Sequence, residues 1–193
     1  MNDNLVDDLF NKPKNFKIGL LSTFSFSIDF FEKYLLQLEG LGNCPDICVF
    51  TDRGIYNSLF EKTINLKQTK INKRYLLVPI AVQGVYHPKL YILASDKMVL
   101  IGIGSSNLTR EGIANNLELV SIFEVTDKDK SNLGLLKDGI EFYQKLATFS
   151  KSKSAIEMVG CFTDYVAHFF SGEIKAPIKL IHNLDEDILV QVK

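Results

Sequence analysis

Five polar residues between positions 87 and 118 are of the types that phosphodiester chemistry needs: His87, Lys89, Ser105, Asn107 and Glu118. They interrupt apolar, β-prone runs in VYHPKLYILASDKMVLIGIGSSNLTREGIANNLE, residues 85–118. A neutral imidazole can attack phosphorus and hold the phosphoryl group covalently, dividing one hard displacement into two easier ones. An ammonium and a carboxamide can neutralise and orient the non-bridging oxygens as charge builds on them. A carboxylate on the other ring nitrogen fixes the tautomer and supports the imidazolium.

For these groups to meet, the chain between them must double back. His87 and Lys89 are two apart, so on a strand both leave the same face, and Tyr91 continues it. Residues 90–93, the polar break Ala94-Ser95-Asp96-Lys97 and residues 98–103 read as a β-hairpin. A turn centred near Asp96 returns Gly104 or Ser105 opposite His87, with residues 104–107 beside the imidazole and the ammonium. Residues 117–125 read as the next strand, with Glu118 at its start and at the same end of the sheet.

The flanking chain supplies the frame. Residues 5–10 suggest one short helix, ended at Lys12-Pro13. Residues 17–24, KIGLLSTF, form a buried strand candidate, and residues 25–40 a helix with Phe30, Phe31, Tyr34, Leu35 and Leu38 in one stripe. Residues 46–51, DICVFT, are a second strand, so the chain opens as strand–helix–strand. Residues 75–82, YLLVPIAV, are a third, and Pro79 implies an edge position or a bulge. Two amphipathic helices follow: 132–149, apolar at Leu135, Leu136, Ile140, Tyr143 and Leu146, and 154–170, apolar at Ile156, Val159, Phe162, Val166 and Phe169. The tail, 171–193, contains Pro177 and two short strand candidates. The expectation is an α/β fold, a mixed β-sheet flanked by helices, in one domain over 1–193 with its core at about 15–171 and a C-terminal extension at 172–193.

With 46% hydrophobic and 23% charged residues and a net charge of −1, the chain has an ordinary globular composition, so any phosphate affinity must be local. Five basic residues, Lys62, Lys67, Lys70, Lys73 and Arg74, make a local strip; Lys67, Lys70, Lys73 and Arg74 are candidates for tracking a phosphate backbone, or else a solvated face. Cys44, Cys48 and Cys161 lack the second ligand pair of a zinc site and read as free thiols. No metal and no cofactor is expected. No apolar run reaches the ~18 residues of a membrane span, and MNDNLVDDLF lacks a signal core, so the expected setting is cytoplasmic and away from membranes.

Taken together, H-P-K at 87–89, G-S-S-N at 104–107 and Glu118 resemble the HKD motif of the phospholipase D superfamily. That superfamily includes lipid hydrolases, phosphatidyltransferases, metal-independent nucleases and some restriction endonucleases. The short spacer, the NLT..G continuation and the size look most like its nuclease branch, and the likeness extends over roughly residues 15–150. The resemblance implies a phospholipase D-like half-domain. In it His87 is the nucleophile or its acid partner, Lys89 and Asn107 bind phosphate oxygens, Ser105 supports the phosphate or a histidine, and Glu118 bonds a histidine.

Two departures stand out. The family commonly has an Asp five positions after the lysine, where this chain has Ala94, the nearest carboxylate being Asp96 in the turn. The spacing from lysine to G-S is also a few residues longer than usual, which a longer hairpin absorbs. The family's mechanism uses two histidines, and neither His168 nor His182 has a lysine two residues on, so both read as structural or surface residues. The second histidine is then expected from a second copy of the chain, in a two-fold homodimer with a composite site. The implied activity is a metal-independent phosphodiesterase, a nuclease on DNA or RNA working through a phosphohistidine. No specificity domain is recognisable, which leaves target choice open to a protein partner.

Besides a purely structural reading, in which His87 and Lys89 merely end a strand and residues 104–107 are a turn, three alternatives remain. One is a nucleic-acid-binding or sensor module of the same fold without turnover, kept open by Ala94. Another is a lipid phosphodiesterase, disfavoured because no membrane-facing amphipathic segment stands out. The third reads G-I-G-S-S-N with Glu124 as a dinucleotide loop, but Asn107 replaces its third glycine and His87 and Lys89 go unexplained.

Overall fold

Alternation of side chains across extended segments produces a sheet that is apolar on both faces. The computed structural model describes residues 7–11, 15–62, 68–171, 174, 177–182 and 184. Its six-stranded sheet has the order β3-β2-β1-β4-β5-β6. The strands are β1 (Ile18–Thr23), β2 (Asp46–Asp52), β3 (Leu76–Ile80), β4 (Leu90–Ala94), β5 (Met98–Gly104) and β6 (Val120–Thr126). β1, β2 and β3 run parallel. β4 is antiparallel to β1, and β5 and β6 continue antiparallel. Pro79, which has no N–H to give a ladder, sits on β3 at the sheet edge. The hairpin turns at Asp96-Lys97, with Ala94 paired to Val99.

Leu20, Cys48, Phe50, Leu90 and Ile92 point to one face and join Leu136, Tyr143, Val159 and Phe162 in one core. The last four come from α3 (Leu133–Ser150) and α4 (Lys153–Val166), the final helices of a set that begins with α1 (Ile28–Lys33) and α2 (Arg53–Lys62). Lys151 in the left-handed region, φ 57°, ends α3, and Ser152 caps α4 by accepting from Ala155 N, so two long helices fold against each other across a two-residue link. Leu21, Val49, Tyr91 and Leu93 point to the opposite face and pack with Leu9, Phe10, Phe31, Leu35 and Leu41.

Several expectations need revising. The helix at 25–40 is broken: α1 ends at Lys33, a 3₁₀ turn covers Leu35–Gln37, and a single helical turn covers Glu39–Gly42. Tyr34 leaves helical geometry at φ −123° and Leu38 is extended. That reset turns Leu36 and Leu41 into the core, whereas an unbroken helix would have spent those positions on Tyr34, which is 38% exposed, and Leu38. On α4 the core stripe runs through Ala155, Val159, Phe162 and Val166, and Ile156 is 50% exposed. The strand expected from Leu117 begins at Val120, leaving Leu117 and Leu119 exposed. The N-terminal helix is seen as one π-type turn, Asp7–Asn11, whose Leu9 and Phe10 are buried. The tail's described residues form no strand; residues 172–173, 175–176, 183 and 185–193, and Lys67 of the basic strip, lie outside the described residues.

Candidate active site

One end of the sheet collects the ends of all six strands: the C-termini of β1, β2, β3 and β5 and the N-termini of β4 and β6. Tyr143 of α3 ties two of them together, its buried hydroxyl lying 3.0 Å from Leu20 O of β1 and 2.5 Å from Leu90 O of β4. The approach to β4 is pinned in the same way. Tyr86 is buried with its hydroxyl 2.6 Å from Ser22 Oγ, and its N–H donates to Asp52 Oδ2 at 3.4 Å.

Between these anchors stands His87. It precedes β4 instead of lying on it, and its side chain is exposed. The Phe24 ring backs it at 4.8 Å between centroids, tilted by 36°. Phe24 is held in turn by Thr51, whose Oγ1 donates to Phe24 O at 2.9 Å. Lys89 is the reverse of His87: only 5% exposed, with Nζ 2.6 Å from His87 Nδ1, 3.0 Å from Nε2 and 3.1 Å from His87 O. An ammonium that donates to a ring nitrogen requires that nitrogen to be unprotonated. Burial pushes the Lys89 pKa down, opposed by the Glu118 charge. Burial and then the Lys89 charge push the His87 pKa below its ordinary 6.5. At neutral pH the ring is therefore an uncharged base, the form that can act as a nucleophile.

The G-S-S-N segment completes the site. Gly104 N donates to Lys89 O at 3.2 Å, so Gly104 lies opposite Lys89, not opposite His87 as the turn position had suggested. A Cβ at Gly104 would stand 2.1 Å from Leu119 O and 2.8 Å from Val120 Cα, so only glycine lets β6 approach here. Ser105 donates its hydroxyl to Glu118 Oε2 and accepts from Leu119 N at 3.1 Å. Ser106 turns inward and is buried, with its hydroxyl on Gly112 O at 2.7 Å, while Tyr91 donates to Ser106 O. Gly112 permits the loop to close, since a Cβ there would meet Asn107 O at 2.5 Å. Asn107 turns its Oδ1 toward β1, accepting from Ser25 N at 3.1 Å and Thr23 Oγ1 at 3.2 Å.

The fold thus brings His87 against Lys89, and Ser105 against Glu118, with Asn107 tied to the end of β1. Glu118 also receives Asn116 Nδ2 at 3.4 Å; among the described residues it has no hydrogen bond to His87. Lys70, Lys73 and Arg74 are elsewhere. Arg74 donates to Pro45 O at 3.0 Å and Gly42 O at 2.5 Å, where β2 begins. The length of β1, about 17 Å, separates that end of the sheet from His87. Lys73 and Arg74 line a different cavity, of about 690 Å³, along β3. Lys70 donates its N–H to Glu32 at 2.7 Å. Asp96 is also at the far end, taking the Tyr165 hydroxyl at 2.5 Å, and Ala94 is fully buried, so neither supplies a carboxylate near His87.

Sequence reasoning missed Ser22, Thr23, Phe24 and Ser25, which touch Tyr86, Asn107, His87 and Asn107 in turn. The available signal was a polar S-T-F-S run closing an apolar strand. His182 read from the sequence as a structural or surface residue. It lines, with His87, Gln83, Tyr86 and Phe142, a cavity of about 510 Å³ beside the site, and its Nδ1 accepts from Leu184 N at 3.3 Å. His168 is exposed on the last 3₁₀ turn with Nδ1 3.0 Å from Tyr165 O. Cys44 and Cys48 are buried free thiols, Cys44 pushed up to about 12 by burial, and Cys161 is exposed. Among the described residues no group of three His, Cys, Asp or Glu side chains could hold a metal ion, and no helix is long and apolar enough to cross a membrane.

Comparison with family models and with curated proteins finds no match. Solved structures do match. Yeast tyrosyl-DNA phosphodiesterase aligns over 79% of this chain and 36% of its own, with TM-score 0.50 and 18% identity. NucT from Helicobacter pylori and the phospholipase D family member Nuc from Salmonella typhimurium each align over 76% of this chain and 87% of theirs, at 18% identity, with TM-scores of 0.44 and 0.48. This chain therefore spans just over a third of the yeast protein. The yeast enzyme belongs to the phospholipase D superfamily, and the sheet, its flanking helices and this alignment agree: the chain has a phospholipase D-like fold.

Proposed function

We propose that this chain is a metal-independent phosphodiesterase that cleaves nucleic acid through a phosphohistidine on His87, in a site completed by a second copy of the chain. One observation carries the reading: an exposed imidazole in contact with a 5%-exposed ammonium, Lys89 Nζ being 2.6 Å from His87 Nδ1. A buried ammonium without a bonded carboxylate is costly, and such a cost is sustained where an anion is to be received. Among the described residues the hydrogen-bond partners of Lys89 Nζ are all atoms of His87.

The chemistry follows from that pair. Phosphate oxygens compete for the Lys89 protons and release the ring, while Asn107 donates to a second oxygen. The imidazole lone pair forms the N–P bond as the P–O bond to the leaving oxygen breaks. His87 of the second copy, its ring protonated once the bound phosphate offsets the charge of the lysine beside it, gives that oxygen its proton and is left neutral. It then takes a proton from the water that attacks the phosphohistidine, the N–P bond breaks, and the phosphate leaves with both rings restored. Glu118, fixed by Ser105, balances the charge of Lys89 and is the carboxylate available to orient an imidazole. The fold shared with a tyrosyl-DNA phosphodiesterase makes DNA the first substrate to try.

The test is trapping of phosphorus-labelled oligonucleotide on the protein by an alkaline detergent quench, in which a phosphohistidine survives. Label retained by the wild type, labile in acid and absent in His87→Ala, is the expected result. Cleavage by His87→Ala at the wild-type rate would sink the reading. The buried Ala94, at the position where the resemblance implies an Asp, favours a second reading, binding without turnover. Single-turnover assays with excess protein separate the two, since a binding module retains the oligonucleotide uncut.

A further inference from the structure

We propose that Thr23 and Ser25, at the end of β1, are positioning residues that decide which end of the Asn107 amide faces the phosphate. This rests on the reading of Asn107 as a phosphate ligand. A carboxamide carries an acceptor and a donor of nearly the same shape, so something must choose between its two orientations. Here the choice is made by main chain. Ser25 N–H points at Asn107 Oδ1 from 3.1 Å, and an amide N–H cannot accept. Reversing the carboxamide would set Nδ2–H₂ against that N–H, donor to donor. The carbonyl end is therefore held at β1, and both Nδ2 hydrogens are directed away from it.

Thr23 keeps Asn107 within reach of that N–H. It is fully buried, and its single hydroxyl serves both sides of the junction. Oγ1 lies 2.7 Å from Ser25 O and 3.2 Å from Asn107 Oδ1, and it accepts from Leu108 N at 3.1 Å. The junction continues beyond it: Phe26 bridges Leu108 in parallel, and Ser27 N donates to Leu108 O at 3.1 Å. Two segments more than eighty residues apart are thus sewn together at the residue that must face the substrate, with Thr23 as the side-chain stitch. Serine keeps that stitch. Valine keeps the shape and removes it.

Four variants of the full chain test the inference on a DNA substrate: Thr23→Val, Thr23→Ser, Asn107→Ala and the double variant Thr23→Val/Asn107→Ala. Thr23→Val should lower kcat by about ten- to a hundred-fold with KM little changed, the scale of one misplaced transition-state donor. Thr23→Ser should recover kcat to within about three-fold of wild type, since it restores the hydroxyl. In the double variant the Thr23 change should cost nothing beyond Asn107→Ala, because only coupled groups are non-additive. A purely structural Thr23 would multiply its loss onto Asn107→Ala, and that result overturns the proposal, as does full activity in Thr23→Val. Should Thr23→Val fail to fold, Asn107→Asp decides. It leaves an acceptor toward Ser25 and turns an oxygen outward, so the fold should hold while cleavage falls by more than about a hundred-fold; retained cleavage refutes the orientation. His87→Ala run in parallel keeps the two ideas apart. If it cleaves like wild type, the phosphodiesterase reading has failed; if it is dead and Thr23 is additive, only the positioning role has.

Discussion

Lys89→Met is a substitution for which stability and activity should move in opposite directions. Lys89 is 5% exposed, and its ammonium bonds the His87 ring and carbonyl. A desolvated ion of this kind costs several kcal/mol, of which charged hydrogen bonds return about 1.5–3 kcal/mol each. A Met of similar length avoids the desolvation, and the exposed His87 can turn its freed polar atoms to water. The net expectation is a gain of about 1 kcal/mol, or a rise of about 2–4 °C in Tm for a chain of this size. Catalysis should fall by about a hundred- to a thousand-fold, because a positive donor is lost where charge builds on phosphate. The same variant reports on the ring. Burial and Lys89 both hold the His87 pKa below 6.5, so removing the lysine should move its titration midpoint upward, toward that value. The acid limb of the pH–rate profile should move to higher pH with it, since more of the ring is then protonated at a given pH. Urea unfolding, an NMR titration of the His87 ring and kcat/KM against pH supply the three readouts. A variant that loses more than about 1 kcal/mol while its His87 titrates as before would refute the argument.

Gly104→Ala should cost about 1–3 kcal/mol in urea unfolding and most of the activity, because its Cβ meets Leu119 O at 2.1 Å and must push β6 from β5 beside Ser105 and Glu118. Tyr143→Phe should cost about 1–3 kcal/mol by the same measurement, through two buried carbonyls left without its hydroxyl; a neutral result would mean that water or the ladder replaces it. Excess EDTA should leave the cleavage rate unchanged, and a rate abolished by chelation and restored by a divalent ion would end the phosphohistidine mechanism. Specific activity should fall on dilution as the two-fold assembly dissociates, with sedimentation following the same midpoint; a fully active monomer would place the second acid within one chain, with His182 the first residue to replace.

Much of the frame was readable because local rules governed it. Short continuous apolar runs marked β1, β2, β4 and β5, a proline put β3 at an edge or a bulge, and period-3.6 stripes marked α3 and α4. The break at Tyr34 was not readable, since Phe30, Tyr34 and Leu38 make an acceptable helical stripe and only the sheet beneath favours Leu36 and Leu41. The same holds for Ile156, which is exposed while Ala155 beside it on α4 is buried in the core.

By itself the sequence determined that an imidazole and an ammonium, two residues apart, would share one end of a hairpin with G-S-S-N, because strand geometry and turn length leave little freedom there. Only the tertiary structure decided that Lys89 is buried while His87 is not, and that Lys70, Lys73 and Arg74 stand at the opposite end of the sheet. It alone brought Thr23 and Ser25 to Asn107 across more than eighty residues. The physical reason is range. Periodicity and turn chemistry act between near neighbours, whereas burial, and the partner of a polar group far along the chain, depend on which strands the whole sheet sets side by side.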